Sequence, residues 1–138
     1  MVIATFETSL VSPEALVFYG EVEQVDLPGT EGDLGVLAGH APIVTALRPG
    51  IVRLIANGKN EEFVVLGGIA EFSQSILSIL ADTATPIAEF DALDLKARIE
   101  EMDQRVSAGP ISDELDREIR TLDNYRALHQ YITVTTAL

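Results

Sequence analysis

The fold turns on one stretch, Ile51-Val52-Arg53-Leu54-Ile55-Ala56-Asn57-Gly58-Lys59-Asn60-Glu61-Glu62-Phe63-Val64-Val65-Leu66. Two runs rich in Val, Ile, Leu and Phe flank Asn57-Gly58. That dipeptide tolerates positive φ at both central positions of a type I′ turn, whose twist suits two antiparallel strands. Gly58-Lys59-Asn60 has neither the hydroxyl residue nor the upstream glycine of a phosphate-binding loop. A β-hairpin is the reading.

Outward from this hairpin the same grammar holds. From Ile3 to Asp82 short apolar pieces are cut by Pro28-Gly29, Gly32, Gly35, Gly39, Pro42, Pro49-Gly50 and Gly67-Gly68. Turn signals about every 8 to 12 residues point to an antiparallel sandwich or barrel, with about eight to ten strands. In Val22–Leu27 the alternation puts Val25 and Leu27 on one face, and in Ser75–Leu80 it puts Ile76, Ser78 and Leu80 together. Glu31 to Pro42 holds three glycines but leads into Ile43-Val44-Thr45-Ala46-Leu47, which is strand-like. A nucleotide loop would need a helix there to receive phosphate. Two tight turns bounding a short strand are expected instead.

After Pro86 the period changes. Leu95, Ile99, Met102 and Val106 are spaced by four, three and four, along one helical face. Asp91 precedes this run as N-cap, with Asp94 three residues on. Ser107-Ala108-Gly109-Pro110 ends the helix. Ser112 caps a second one, whose Leu115, Ile119, Leu122, Tyr125, Leu128 and Ile132 continue the 3/4 pattern. The expected organisation is a β-sandwich over residues 1–86 and a two-helix antiparallel hairpin over 87–138, an α+β chain in two parts. Each helix shows a single apolar stripe, so some apolar surface is left for the β domain or for another protein.

Composition narrows the function. The 138 residues carry nine Lys+Arg against 22 Asp+Glu, a net charge of −13. That balance repels phosphate backbones and anionic lipid, which argues against nucleic-acid binding or electrostatic membrane attachment. With no cysteine and only His40 and His129, thiolate metal sites, iron–sulfur clusters and histidine-rich metal sites are excluded. No apolar run approaches the roughly 20 residues of a membrane span, and Met1–Glu7 does not read as a secretory signal. A soluble, cytosolic chain is expected, with no resident cofactor and no metal. No nucleophile elbow, zinc-binding helix or P-loop is present. His40 has no catalytic partner near it in sequence, and Glu61-Glu62 and Glu100-Glu101 read as solvated faces. A paired-carboxylate hydrolase, the enzyme alternative, would need acids such as Glu61-Glu62 and Glu31/Asp33 gathered in one cleft.

Glu31-Gly32-Asp33-Leu34-Gly35-Val36, then Gly39-His40-Ala41-Pro42, then Thr45-Ala46-Leu47-Arg48-Pro49-Gly50-Ile51-Val52-Arg53, resembles the epsilon subunit of F-type ATP synthases, called delta in mitochondria. Gly67-Gly68-Ile69-Ala70-Glu71-Phe72 and Leu80-Ala81-Asp82-Thr83-Ala84 extend the likeness. The resemblance implies a ten-stranded sandwich followed by a helical hairpin, and a non-catalytic rotor subunit of the central stalk. Such a subunit couples proton-driven rotation of the c-ring and gamma subunit to ATP synthesis, at the cytoplasmic face of a bacterial inner membrane or on the matrix side in mitochondria. By motif correspondence, Ser12, His40 and Thr45 face gamma, while Glu31 and Asp33, on the turn before the Leu34-Gly35 strand, face the polar loops of the c-ring. ATP-binding members carry Ile/Leu-Asp-x-x-Arg-Ala. Here Leu93-Asp94-Leu95-Lys96-Ala97-Arg98 keeps Asp94 but sets Arg98 one position late, a rotation of about 100° on a helix. In inhibitory members the hairpin presents basic side chains to the catalytic beta subunit, for which Arg117, Arg120 and Arg126 are the candidates. Residues 86–138 nevertheless hold six basic against eleven acidic side chains, so weak or absent inhibition is expected. Ala38 stands where the family commonly has Pro. A free-standing sandwich that holds a small ligand under a helical lid is the alternative.

Overall fold

A computed structural model describes residues 3–109 and 111–136. The chain divides into two compact units that meet between Ile87 and Ala88.

The first unit has ten strands: β1 (Phe6–Val11), β2 (Leu16–Val22), β3 (Gln24–Gly29), β4 (Gly32–Leu37), β5 (Ile43–Leu47), β6 (Gly50–Ala56), β7 (Lys59–Val65), β8 (Gly68–Ser73), β9 (Ile76–Ala81) and β10 (Ala84–Pro86). They pair in the order β10-β7-β6-β3-β5-β8-β9-β1-β2, with β4 alongside β3. The sheet folds over so that β2 comes back against β6, which makes two layers of one ladder. Alternating side chains fill the space between them. Phe6 meets Phe72 edge-to-face at 5.5 Å, and Leu10, Val22, Val25, Val36, Val52, Leu77 and Ile79 are buried around the pair. Burial at alternate positions is the period-2 signal made physical.

The decisive hairpin forms as the sequence requires. Asn57 and Gly58 have φ of 53° and 73°, and Lys59 pairs with Ala56 to open β7. Glu31 to Pro42 becomes β4 between two turns, with no helix following. Asp33 lies within β4 opposite Pro28, rather than on the preceding turn.

One pairing departs from the all-antiparallel expectation. β1 and β9 run parallel, with Leu10 opposite Ile79 and Val11 opposite Leu80. Side-chain alternation is the same in either direction, so periodicity carries no signal for strand sense. A further departure is Glu62. It is not simply solvated: its carboxylate meets Arg53 Nη2 at 3.3 Å across β6 and β7, and Arg53 Nη1 also reaches Asp26 at 3.3 Å.

The second unit is helical. A short 3-10 turn over Ile87–Glu89 leads to α1 (Ala92–Ala108) and then α2 (Asp113–Thr136). Asp91 caps α1 by accepting from the backbone N–H of Leu93 at 3.0 Å and Asp94 at 3.2 Å. Ser112 Oγ accepts from Leu115 N–H at 3.2 Å and caps α2. Gly109 ends α1 in extended geometry, and Pro110, expected in this turn, lies outside the described residues. The helices pack against each other, and so short a connection makes them antiparallel. Leu95 and Met102 on α1 are buried, as are Leu122, Leu128 and Ile132 on α2. Ile119 departs from its stripe and stays 37% exposed.

Candidate functional site

The strand registers bring several turns to one end of the sandwich. Gly29 sits opposite Leu47, Leu47 opposite Gly68, and Gly68 opposite Ala81, while the adjoining Leu80 pairs with Val11 and Val11 with Leu16. Just beyond this rung lie the Ser12–Ala15 turn, the Thr30-Glu31 tip of the β3–β4 hairpin, Arg48-Pro49, Gly67 and Asp82. This end is acidic. Glu14, Glu31, Asp33 and Asp82 are exposed there, and the nearby cation is Arg48, whose Nη2 pairs with Asp33.

Local geometry keeps the end compact. Ser12 and Ala15 exchange backbone hydrogen bonds of 2.9 and 3.2 Å. Thr30 N–H donates to Ala46 O, and Arg48 N–H donates to Pro28 O, both at 2.9 Å. Gly68 has φ of +143°, and a Cβ there would lie 2.3 Å from Leu80 O, so the backbone passes where no side chain fits.

Beside this end runs an apolar row on the outer face. Ala46, Ile69, Leu80, Val11 and Leu16 are successive cross-strand neighbours. Ile69 is 44% exposed and Leu80 57%, with Val44 at 62% further along β5. An open groove of about 510 Å³ is lined by Val11, Ser12, Pro13, Gly68, Ile69, Leu80, Ala81 and Asp82. Its chemistry is an apolar wall ending in the lone hydroxyl of Ser12 and the lone carboxylate of Asp82, which suits docking. Among the described residues no group of three or more His, Asp or Glu could hold a metal ion, and no helix is long and apolar enough to cross a membrane.

The predicted residues do not all gather here. Ser12 joins Glu31 and Asp33 at the acidic end. Thr45 lies on the inward side of β5, its Oγ 3.3 Å from where a Gly29 Cβ would stand. His40 sits at the other end of β5. Its ring meets Phe72 edge-on at 6.0 Å, and Nδ1 donates to Ala41 O at 2.6 Å. Of the acids considered for hydrolysis, Glu61 and Glu62 lie on β7, Asp33 on β4 and Glu31 at the β3–β4 tip, with Glu62 tied to Arg53 and Asp33 to Arg48.

On the hairpin, Arg98 Nε reaches Asp94 Oδ2 at 3.2 Å, one turn back on α1, so the two residues considered for nucleotide binding engage each other. Arg126 bridges to Asp103 of α1 at 2.9 Å and lies 4.0 Å from Asp123. Arg117 and Arg120 are exposed and make no ion pair among the described residues. Sequence reasoning gave Arg48 no role. Its one visible signal was a long cation placed before Pro49-Gly50 at a strand end.

Comparison with known proteins agrees with this architecture. The family model described as ATP synthase, Delta/Epsilon chain, beta-sandwich domain matches residues 5–87. Over 132 residues the chain is 54% identical to ATP synthase epsilon chain 2 of Nitrobacter hamburgensis, covering 96% of this chain and 97% of that one. It is 52% identical to the ATP synthase epsilon chain of Rhodopseudomonas palustris strain BisB5 over the same shares. Its fold is shared by a chain in the Euglena gracilis mitochondrial ATP synthase OSCP/F1/c-ring structure, with TM-score 0.74, 24% identity, and 90% of this chain and 81% of that chain covered. A chain of the Tetrahymena thermophila mitochondrial ATP synthase central stalk/c-ring structure matches with TM-score 0.63, 14% identity, and 92% and 95% covered. A sandwich matched by the family model, with about half of all residues identical along nearly the whole of two epsilon chains, decides the matter: this chain belongs to the delta/epsilon family of ATP synthase subunits.

Proposed function

We propose that the chain is a non-catalytic subunit of the rotating central stalk in a proton-translocating ATP synthase. The sandwich docks on the gamma subunit and on the polar loops of the c-ring, and it passes torque between them. The observation that carries this reading is the junction of two unlike surfaces on one rigid body. The apolar row through Ile69 and Leu80 suits a lasting protein partner. The charged turns around Glu31 and Asp33 suit polar loops that need orientation more than burial. Family membership and the c-ring and central-stalk structures that share the fold support the same partners. The subunit works as a peripheral part of the complex, on the cytoplasmic face of a bacterial inner membrane. Ser12 and the adjoining groove serve gamma, Thr45 lies beside the β3–β4 hairpin, and His40 marks the far limit of the gamma contact.

No cofactor enters this reading. Asp94 and Arg98 neutralise each other on one face of α1, so neither is poised for a nucleotide, and the hairpin leaves ATP unbound. Inhibition by the hairpin is weak, because Arg126 is already paired and Arg117 and Arg120 stand among exposed acids.

Membranes carrying the complex without this chain provide the test. Adding back the chain restores ATP-driven proton pumping, and the Glu31→Lys, Asp33→Lys double variant stays on the complex while pumping falls. Full pumping by the double variant would overturn the c-ring contact. Failure of the unaltered chain to bind a complex containing gamma would overturn the reading as a whole.

A further inference from the structure

We infer that Arg48 is a positioning residue that sets the geometry and the charge of the acidic β3–β4 tip, an inference that rests on the c-ring docking reading. Its guanidinium spans the two limbs of the hairpin. Nη1 donates to Gly29 O at 2.6 Å on β3, and Nη2 pairs with the Asp33 carboxylate on β4. Between those two anchors lie only Thr30, Glu31 and Gly32. The side chain starts from a fixed backbone, since Arg48 N–H donates to Pro28 O, and the tip is held from the same strand end through Thr30 N–H and Ala46 O. Gly29 completes the fit: a Cβ on it would lie 2.6 Å from Gly32 O, so the hairpin is drawn tight where the guanidinium grips it.

Stability is a poor explanation for this arrangement. The Asp33 side chain is 81% exposed and that of Arg48 29% exposed, and solvent-exposed ion pairs contribute little to folding. What the fork supplies is direction. Two donors in one plane fix both limbs relative to each other, which a single ammonium on a flexible stem cannot do. The pair also divides the charge at the tip. Asp33 is compensated, so Glu31, exposed and without an ion pair among the described residues, presents the uncompensated carboxylate. A docking loop therefore meets one fixed negative charge rather than two mobile ones.

The test uses the full chain and the assembled complex. Arg48→Met keeps the stem and removes the fork, Arg48→Lys keeps the charge, and Asp33→Asn removes one anchor from an exposed side chain that cannot threaten the fold. In the isolated full chain, amide exchange at Thr30, Glu31 and Gly32 is expected to quicken about tenfold in Arg48→Met, as local opening becomes easier. Exchange in β6 and β7 stays as it was. In membranes, protons pumped per ATP hydrolysed fall about threefold in Arg48→Met and less in Arg48→Lys, because an ill-held contact docks poorly. Asp33→Asn costs less in the Arg48→Met background than alone, since both act through one contact. Unchanged tip exchange in Arg48→Met and Asp33→Asn overturns the inference. So does full pumping by Arg48→Met when Glu31→Lys lowers it. If tip exchange quickens and Glu31→Lys pumps normally, the docking reading is what fails, while the grip on the tip stands.

Discussion

Thr8 shares a strand face with Phe6 and Leu10, and its hydroxyl is fully buried with no hydrogen-bond partner among the described residues. A buried unsatisfied hydroxyl costs stability that an apolar side chain of similar shape avoids. Thr8→Val is therefore expected to raise stability by about 1 kcal/mol, a gain of a few degrees in the thermal midpoint of the full chain. No gain, or a loss, would mean that the hydroxyl has a partner in solution. Gly68 makes the opposite case. Its φ of +143° and the Leu80 carbonyl 2.3 Å from a notional Cβ leave Ala neither a conformation nor space. Gly68→Ala should destabilise the chain by more than about 1 kcal/mol, read as a lower denaturant midpoint, and a neutral result would show that the β8–β9 ladder shifts freely. Both residues were open to sequence reasoning in different measure. Period two alone puts Thr8 beside Phe6 and Leu10. That Gly68 lies against Leu80 depends on which strands meet, and no local pattern records that.

At the scale of elements, the turns divide by how much of their chemistry is local. Asn57-Gly58 announced its hairpin, and Asp91 and Ser112 announced the two helix starts, because a cap or a type I′ turn is satisfied within four residues. The β8–β9 turn gave no such signal. Gln74 and Ser75 both take positive φ, 53° and 63°, although neither is a residue that favours it. The strand pairing on either side imposes the turn on them. Left-handed geometry costs an ordinary residue about 1 to 2 kcal/mol, and the added chain entropy of glycine returns about 0.5 to 1 of it. The double variant Gln74→Asn, Ser75→Gly is thus expected to stabilise the chain by about 1 kcal/mol or slightly more, read as a shift in urea midpoint. An unchanged midpoint would show that Gln74 and Ser75 contribute something else at that turn. The α1 cap gives a prediction of the opposite sign. Asp91→Ala frees two backbone N–H groups and should cost about 1 kcal/mol, seen as faster amide exchange at Leu93 and Asp94. The parallel β1–β9 pair and the Arg48 grip share one reason for being illegible. Each joins segments distant in sequence, and neither leaves a local trace.

At the scale of the whole molecule, charge and partition decide what each part is for. The sandwich has its own core and carries both the acidic end and the apolar row. The helical unit holds a surplus of acids, and two of its cations are engaged: Arg98 by Asp94, Arg126 by Asp103. An inhibitory arm that approaches an acidic partner needs free positive charge, and like charges at close range slow or prevent docking. Ending the chain after Ala88 removes the helical unit, and the sandwich's core cluster is drawn from residues before that point. The shortened chain is expected to fold, to remain on the complex, and to leave the rate of ATP hydrolysis where the full chain sets it. Retention must be measured in the same preparation, because loss of the subunit could change the rate by itself. A several-fold rise in hydrolysis with the shortened chain still bound would make the hairpin a brake. The exposed Arg117 and Arg120 would then be its contact points, and replacing both with Ala in the full chain should reproduce the rise.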